Sequence, residues 1–116
     1  MARVSWTPQA ADDLEAICLF IARDTPQIAA TFADRVVTAT DRLESHPRMG
    51  RVVPELGLED FREILVGSYR VIYRVREDEV HVLTVHHGAR LLDTTKIMAH
   101  SKVTSAASAD DHLRVP

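Results

Sequence analysis

Hydrophobic and polar positions alternate most regularly between Phe61 and Arg90, in the run FREILVGSYRVIYRVREDEVHVLTVHHGAR. Valine, isoleucine, tyrosine and phenylalanine recur through it, and such side chains suit a pleated surface. Gly67-Ser68 and Glu77-Asp78 interrupt the run. The pattern therefore predicts three strands, Phe61–Val66, Tyr69–Arg76 and Glu79–His87, joined by two tight turns. Along the middle strand Tyr69, Val71, Tyr73 and Val75 alternate with Arg70, Ile72, Arg74 and Arg76. A period of two places these sets on opposite faces. The apolar face is expected to pack on helices, and the basic face to meet solvent or a ligand.

Upstream the period lengthens. Val4 and Trp6 share one face of a short strand candidate over Arg3–Trp6. Thr7-Pro8 then reads as an N-cap followed by proline at the first helical position. Ala10, Leu14, Ile17, Cys18 and Ile21 recur at helical spacing, so a helix is predicted from about Pro8 to Arg23. Asp24-Thr25-Pro26 repeats the start signal. A second helix is predicted from Pro26 to Ser45, with Ala29, Phe32, Val36, Ala39 and Leu43 on one face. So short a connection makes an antiparallel hairpin, and the sheet is the third surface that both apolar stripes need. The loop His46–Arg51 holds a proline and a glycine, and Val52-Val53 reads as a brief pairing segment. Leu91–Ala99 is a short helix or an irregular strap. One domain over residues 1–98 and a disordered tail over 99–116 are expected, because the last stretch is small, polar and aperiodic. The fold class is α+β: an N-terminal strand, then an antiparallel helical hairpin on one face of a small, mainly antiparallel sheet.

Composition narrows the function classes. The 116 residues suit one domain, and the single cysteine excludes an internal disulfide framework. No run reaches the length of a membrane span, and the first residues lack the apolar core of a secretory signal, so a cytoplasmic protein is expected. A net charge of -3 argues against bulk electrostatic capture of nucleic acid. Three arginines on alternate positions of one strand still supply planar forks suited to carboxylate or phosphate. His86 and His87 are adjacent and point to opposite faces of a strand, so they do not share a metal ion. No metal or other cofactor is expected. A histidine at a strand end next to an arginine is a candidate general acid or base, and is equally an ordinary surface side chain.

In combination these segments resemble the RelE/ParE superfamily of toxins from type II toxin–antitoxin modules. The residues that carry the likeness are Trp6 and Pro8 with Ala11-Asp12-Asp13-Leu14, then His46-Pro47-Arg48-Met49-Gly50-Arg51 and Phe61-Arg62-Glu63. Gly67 to Val75 and Val85-His86-His87-Gly88-Ala89-Arg90 complete it, so that it spans about residues 2–97. The resemblance implies one of two targets. A RelE-like member cleaves messenger RNA on the ribosome; Arg62, Arg70 and Arg90 fall at its matching basic positions, and His87 or His86 is the one proton carrier on offer, so that a RelE-like reading makes Arg62, Arg70, His87 and Arg90 the catalytic set. Ile64 stands where a further basic residue belongs, and no tyrosine follows Arg90. A ParE-like member lacks that set and inhibits DNA gyrase, which is the favoured reading; an inactive toxin-fold protein is the third. Either active class implies a cognate ParD- or RelB-like antitoxin. Arg70, Arg74 and Arg76 are expected to meet an acidic partner. Leu14, Ile17 and Ile21 of the first helix, with Phe32 and Val36 of the second, are expected to line a partly exposed apolar surface.

Overall fold

The computed structural model describes residues 1–99 and 101. The elements follow in the order β1 (Arg3–Trp6), α1 (Pro8–Ala22), α2 (Pro26–Asp41), a 3-10 turn (Arg42–Glu44), β2 (Arg51–Val52), β3 (Phe61–Val66), β4 (Tyr69–Arg76) and β5 (Glu79–His87). Residues 94–99 and 101 are helical. The three main strands have the limits their turns predict. Gly67 takes φ 57° and Glu77 φ 52°, left-handed values that let each two-residue connection reverse the chain. The first helix starts as its signal predicts: Thr7 Oγ1 accepts from the Ala10 N–H at 3.1 Å. The second start signal is weaker than it reads, because the Thr25 side chain makes no cap bond and Pro26 alone opens α2. That helix also stops at Asp41, and its last turn tightens to 3-10 geometry rather than continuing to Ser45.

The five strands lie in the order β1-β5-β4-β3-β2. β1 runs parallel to β5, and all other pairs are antiparallel. On the helical side, Val66, Val71, Tyr73, Val75, Val80, Val82 and Val85 pack with Ala10, Phe32, Val36 and Leu43. The β4–β5 ladder slips at one point: Ile72 faces Thr84, but Tyr73 faces Val82. Leu83 is therefore an extra residue, a β-bulge that resets the alternation of β5. It keeps Val82 and Val85 on the helical side although they are three positions apart.

The opposite face is not the open basic surface that the alternation of β4 predicts. Val53, Phe61, Ile72, Leu83, Leu92 and Ile97 form a second buried cluster there, with Leu56 and Met98 against it. The segment after β5 supplies Leu92 and, from its helical residues, Ile97 and Met98, and covers the sheet. Ala99 and Ser101, assigned by sequence to the tail, are helical, and Ser101 is only 2 % exposed. The remainder of the expected tail, residues 102–116, lies outside the described residues, as does His100. Arg70 is buried on this face at 7 % exposure. Arg74 lies over the Phe61 ring at 5.1 Å and donates to Ser101 Oγ at 2.5 Å. Burial and the neighbouring Arg76 lower its pKa. Only Arg76 of the three is exposed, at the strand end.

Candidate functional site

Among the described residues, a groove and a smaller opening lie near the C-terminal end of β5. The larger is a groove of about 880 Å³ between α1, the end of β5 and the segment after it. Its walls include Asp13, Phe20, His86, His87, Arg90 and Lys96. The smaller, about 270 Å³, lies at the β3–β4 turn among Arg51, Glu55, Ser68, Arg70 and Gly88.

In the groove, β1 has ended and the outer edge of β5 is taken over by a side chain. Asp13, from the middle of α1, accepts from the Thr84 hydroxyl and from the Val85 N–H (3.2 Å). This carboxylate satisfies backbone that would otherwise be an open strand edge. His87 falls on the helical side, where its ring meets Tyr69 edge-on with centroids 5.0 Å apart. Its Nδ1 accepts from the Ala89 N–H at 3.1 Å. A neutral His87 so held carries its proton on Nε2 and is arranged to donate. His86 points the other way, opposite Arg70 in the ladder, and its Nε2 lies 3.1 Å from the Arg90 carbonyl. Arg90 itself is exposed.

In the smaller opening, four charged side chains form one chain of contacts. Glu63 lies on β3 with its side chain fully buried. One of its oxygens accepts from Arg70 Nε at 2.7 Å, the other from Arg51 Nε at 2.5 Å. The outer fork of Arg70 then clasps Glu55, with Nη1 and Nη2 at 2.8 and 2.6 Å from its two oxygens. Such paired, charge-assisted bonds are the strong kind. They hold the Glu55 carboxyl down to about 2, chiefly through the Arg70 hydrogen bonds, and raise the Arg70 pKa. Sequence reading missed this cluster because Glu55 and Glu63 stand 15 and 7 positions from Arg70. Only the β3–β4 register brings Glu63 to its side.

These positions separate the four residues that match a nuclease set. Arg62 shares its strand parity with Ile64 and Val66 and so leaves the sheet on the helical side. It donates there to the carbonyls of Arg48, Gly50 and Glu59 and to the Glu59 carboxylate, pinning the loop before β2. Arg70 leaves from the opposite face and is engaged by two carboxylates. His87 and Arg90 do share the groove. Among the described residues no group of three or more histidine, cysteine or acidic side chains is placed to hold a metal ion.

The apolar surface also differs in detail from the expectation. Phe32 and Val36 are buried in the core at 7 % and 0 %, so neither is available to a partner. Leu14, Ile17 and Ile21 are half-buried between α1 and the sheet. The open apolar side chains of the hairpin are Leu19, Phe20, Ile28 and Val37 instead. Cys18 is half-buried with its Sγ 3.9 Å from the Ala29 carbonyl, and burial pushes its thiol pKa up.

Comparison with known proteins places this architecture. Residues 4–92 match the family described as the ParE toxin of the type II toxin–antitoxin system parDE. The chain is 38% identical over 92 residues to a protein named Toxin RelE2 from Caulobacter vibrioides, covering 78% of this chain and all of that one. Among solved structures, a chain of the chromosomal ParDE system from P. aeruginosa superposes with a TM-score of 0.64. It is 22% identical, with 75% of this chain and 96% of that one covered, and so supports the fold alone.

Proposed function

The chain belongs to the ParE toxin family of type II toxin–antitoxin systems, and from that premise we propose that it acts by binding and inhibiting DNA gyrase, held in check by a cognate antitoxin. The observation that carries this reading is the dispersal of the nuclease-type residues. Cleavage by a ribose 2′-hydroxyl needs an acid, a base and positive charge converging on one phosphate. Here Arg62 and Arg70 occupy opposite faces of the sheet, and both forks are engaged by the protein itself. A binding protein has no such requirement, and the exposed apolar residues of the hairpin offer it contact area. Purified chain is expected to inhibit gyrase supercoiling and to trap cleaved DNA, and to lose both effects when the antitoxin is added. Full supercoiling in the presence of excess toxin would sink the reading.

A second reading is ribosome-dependent messenger RNA cleavage. It is favoured by one arrangement, His87 and Arg90 in a common groove with the His87 Nδ1 occupied by the Ala89 N–H. Codon-positioned cuts on translating ribosomes, lost in His87→Ala and Arg90→Ala, would establish it; intact messages would remove it.

A further inference from the structure

We propose that Arg51 and Arg70 form a binding site for the carboxylates of an acidic protein segment, and that Glu55 is the chain's own occupant of that site. The geometry is a hub with two arms. Glu63, on β3 and fully buried, holds Arg51 through Nε at 2.5 Å and Arg70 through Nε and Nη2, both 2.7 Å from its other oxygen. The fork of Arg51 beyond its Nε is left to the 270 Å³ opening that the two guanidiniums line together, and the fork of Arg70, one nitrogen of which also touches Glu63, meets Glu55. Arg70 spends its fork on Glu55, while the side chain of Arg51 is 57% exposed and its only hydrogen bond among the described residues is the one to Glu63. Ser68, at the turn between β3 and β4, adds an exposed hydroxyl to the rim.

The two acids differ in how firmly they are built in. Glu63 is part of a strand paired on both sides, with Arg51 of β2 opposite it on one and Ile72 of β4 on the other. Glu55 sits in the turn after β2 and its side chain is 38% exposed. That turn is fixed by its own bonds, the Leu56 and Gly57 N–H groups donating to the Val53 carbonyl, and by Leu56 against the second core. The backbone of the turn therefore does not depend on where the Glu55 carboxylate points. With Glu55 in place, two guanidiniums face two carboxylates. With Glu55 turned out, one positive charge is left, on two forks beside an opening. A desolvated arginine fork in that state draws in another anion. Carboxylate is the better fit than the phosphate backbone of a nucleic acid. The site already accepts one in bidentate geometry, Glu63 stands beside it to repel a fuller negative charge, and the whole chain carries -3. The site does not depend on the target, and the proposal stands or falls whatever a supercoiling assay returns.

The test uses the full chain, its Glu55→Gln variant and the double variant Glu55→Gln/Arg51→Gln. Each is titrated with a tetraglutamate peptide and, separately, with inorganic phosphate, while the Nε–H resonances of Arg51 and Arg70 are followed by NMR. Removing the internal competitor is expected to tighten the peptide by at least about tenfold, the scale of one charge-assisted bond, with both resonances shifting. The double variant is expected to lose that gain. Equal peptide affinity for the full chain and for Glu55→Gln would overturn the proposal. So would phosphate binding as tightly as the peptide, which would make the site a general anion trap. Loss of folding in Glu55→Gln would do the same, because Glu55 would then be a structural prop and not an occupant.

Discussion

Replacing Glu63 with alanine should be among the most damaging single changes on the second face of the sheet. Its carboxylate has no contact with water and joins Arg51 to Arg70. Bonds to charged groups are worth about 1.5–3 kcal/mol each. The Arg51 arm is discounted to at most about 1 kcal/mol, because that side chain is more than half exposed. The Arg70 arm keeps most of its value, because the guanidinium is buried and breaking such a pair costs roughly 3–5 kcal/mol. Glu55 remains on the outer fork and offsets part of that loss. The balance is a destabilisation of about 3 kcal/mol, or roughly 10–20 °C in Tm for a domain of this size. Glu55→Ala, at a partly exposed carboxylate, should cost only about 1 kcal/mol. Urea unfolding followed by the fluorescence of Trp6 measures both. A double-mutant cycle with Arg70→Ala should return a coupling above about 1 kcal/mol. Equal losses for Glu63→Ala and Glu55→Ala, or no coupling, would refute the hub.

Gly50→Ala should cost about 1–3 kcal/mol, because an added Cβ would stand 2.5 Å from the Glu63 carbonyl oxygen and 2.7 Å from the Tyr73 hydroxyl; a thermal melt reads it. Ile97→Ala should cost about 2–4 kcal/mol if the helical segment completes a core, and a loss below about 0.5 kcal/mol in denaturant titration would reduce that segment to a surface strap. The pH dependence of stability should carry a signature of Glu55. Its folded pKa is depressed, from 4.5 to about 2, so its contribution is complete above pH 4.5 and drains away as the pH falls toward 2. The stability gap between the full chain and Glu55→Gln should therefore close across that window, and a gap that stays constant would contradict it.

The strands were legible because their limits are set locally: Gly67-Ser68 and Glu77-Asp78 are turns wherever they occur between β-branched runs. The helical hairpin was legible for the same kind of reason, in Thr7-Pro8 and Pro26. The basic face was misread because alternation reports which residues share a face, not what covers it. Arg70 and Arg74 looked solvated, yet their partners, Glu63, Glu55, Phe61 and Ser101, come from other segments. The same limit explains Phe32 and Val36. They belong to the apolar stripe of α2, and for that reason point into the core, while the off-stripe Ile28 and Val37 are the exposed apolar side chains of that helix. The bulge at Leu83 left no mark in the alternation, because Leu83 and Thr84 both read as ordinary strand residues.

The parallel pairing of β1 with β5 has a consequence for synthesis. Thr7, 76 positions before Leu83, donates to its carbonyl, and Arg3 to Trp6 lie beside Glu79 to Val82. The first strand to leave the ribosome thus finds its place only when the last has emerged. Asp13 likewise waits for Thr84 and Val85. Contacts this distant slow folding, because loop closure comes before any gain. A translation product cut short before Glu79 would lack β5, the strand on which β1 and β4 both pair, and would leave the helical hairpin without half of the sheet face it packs on.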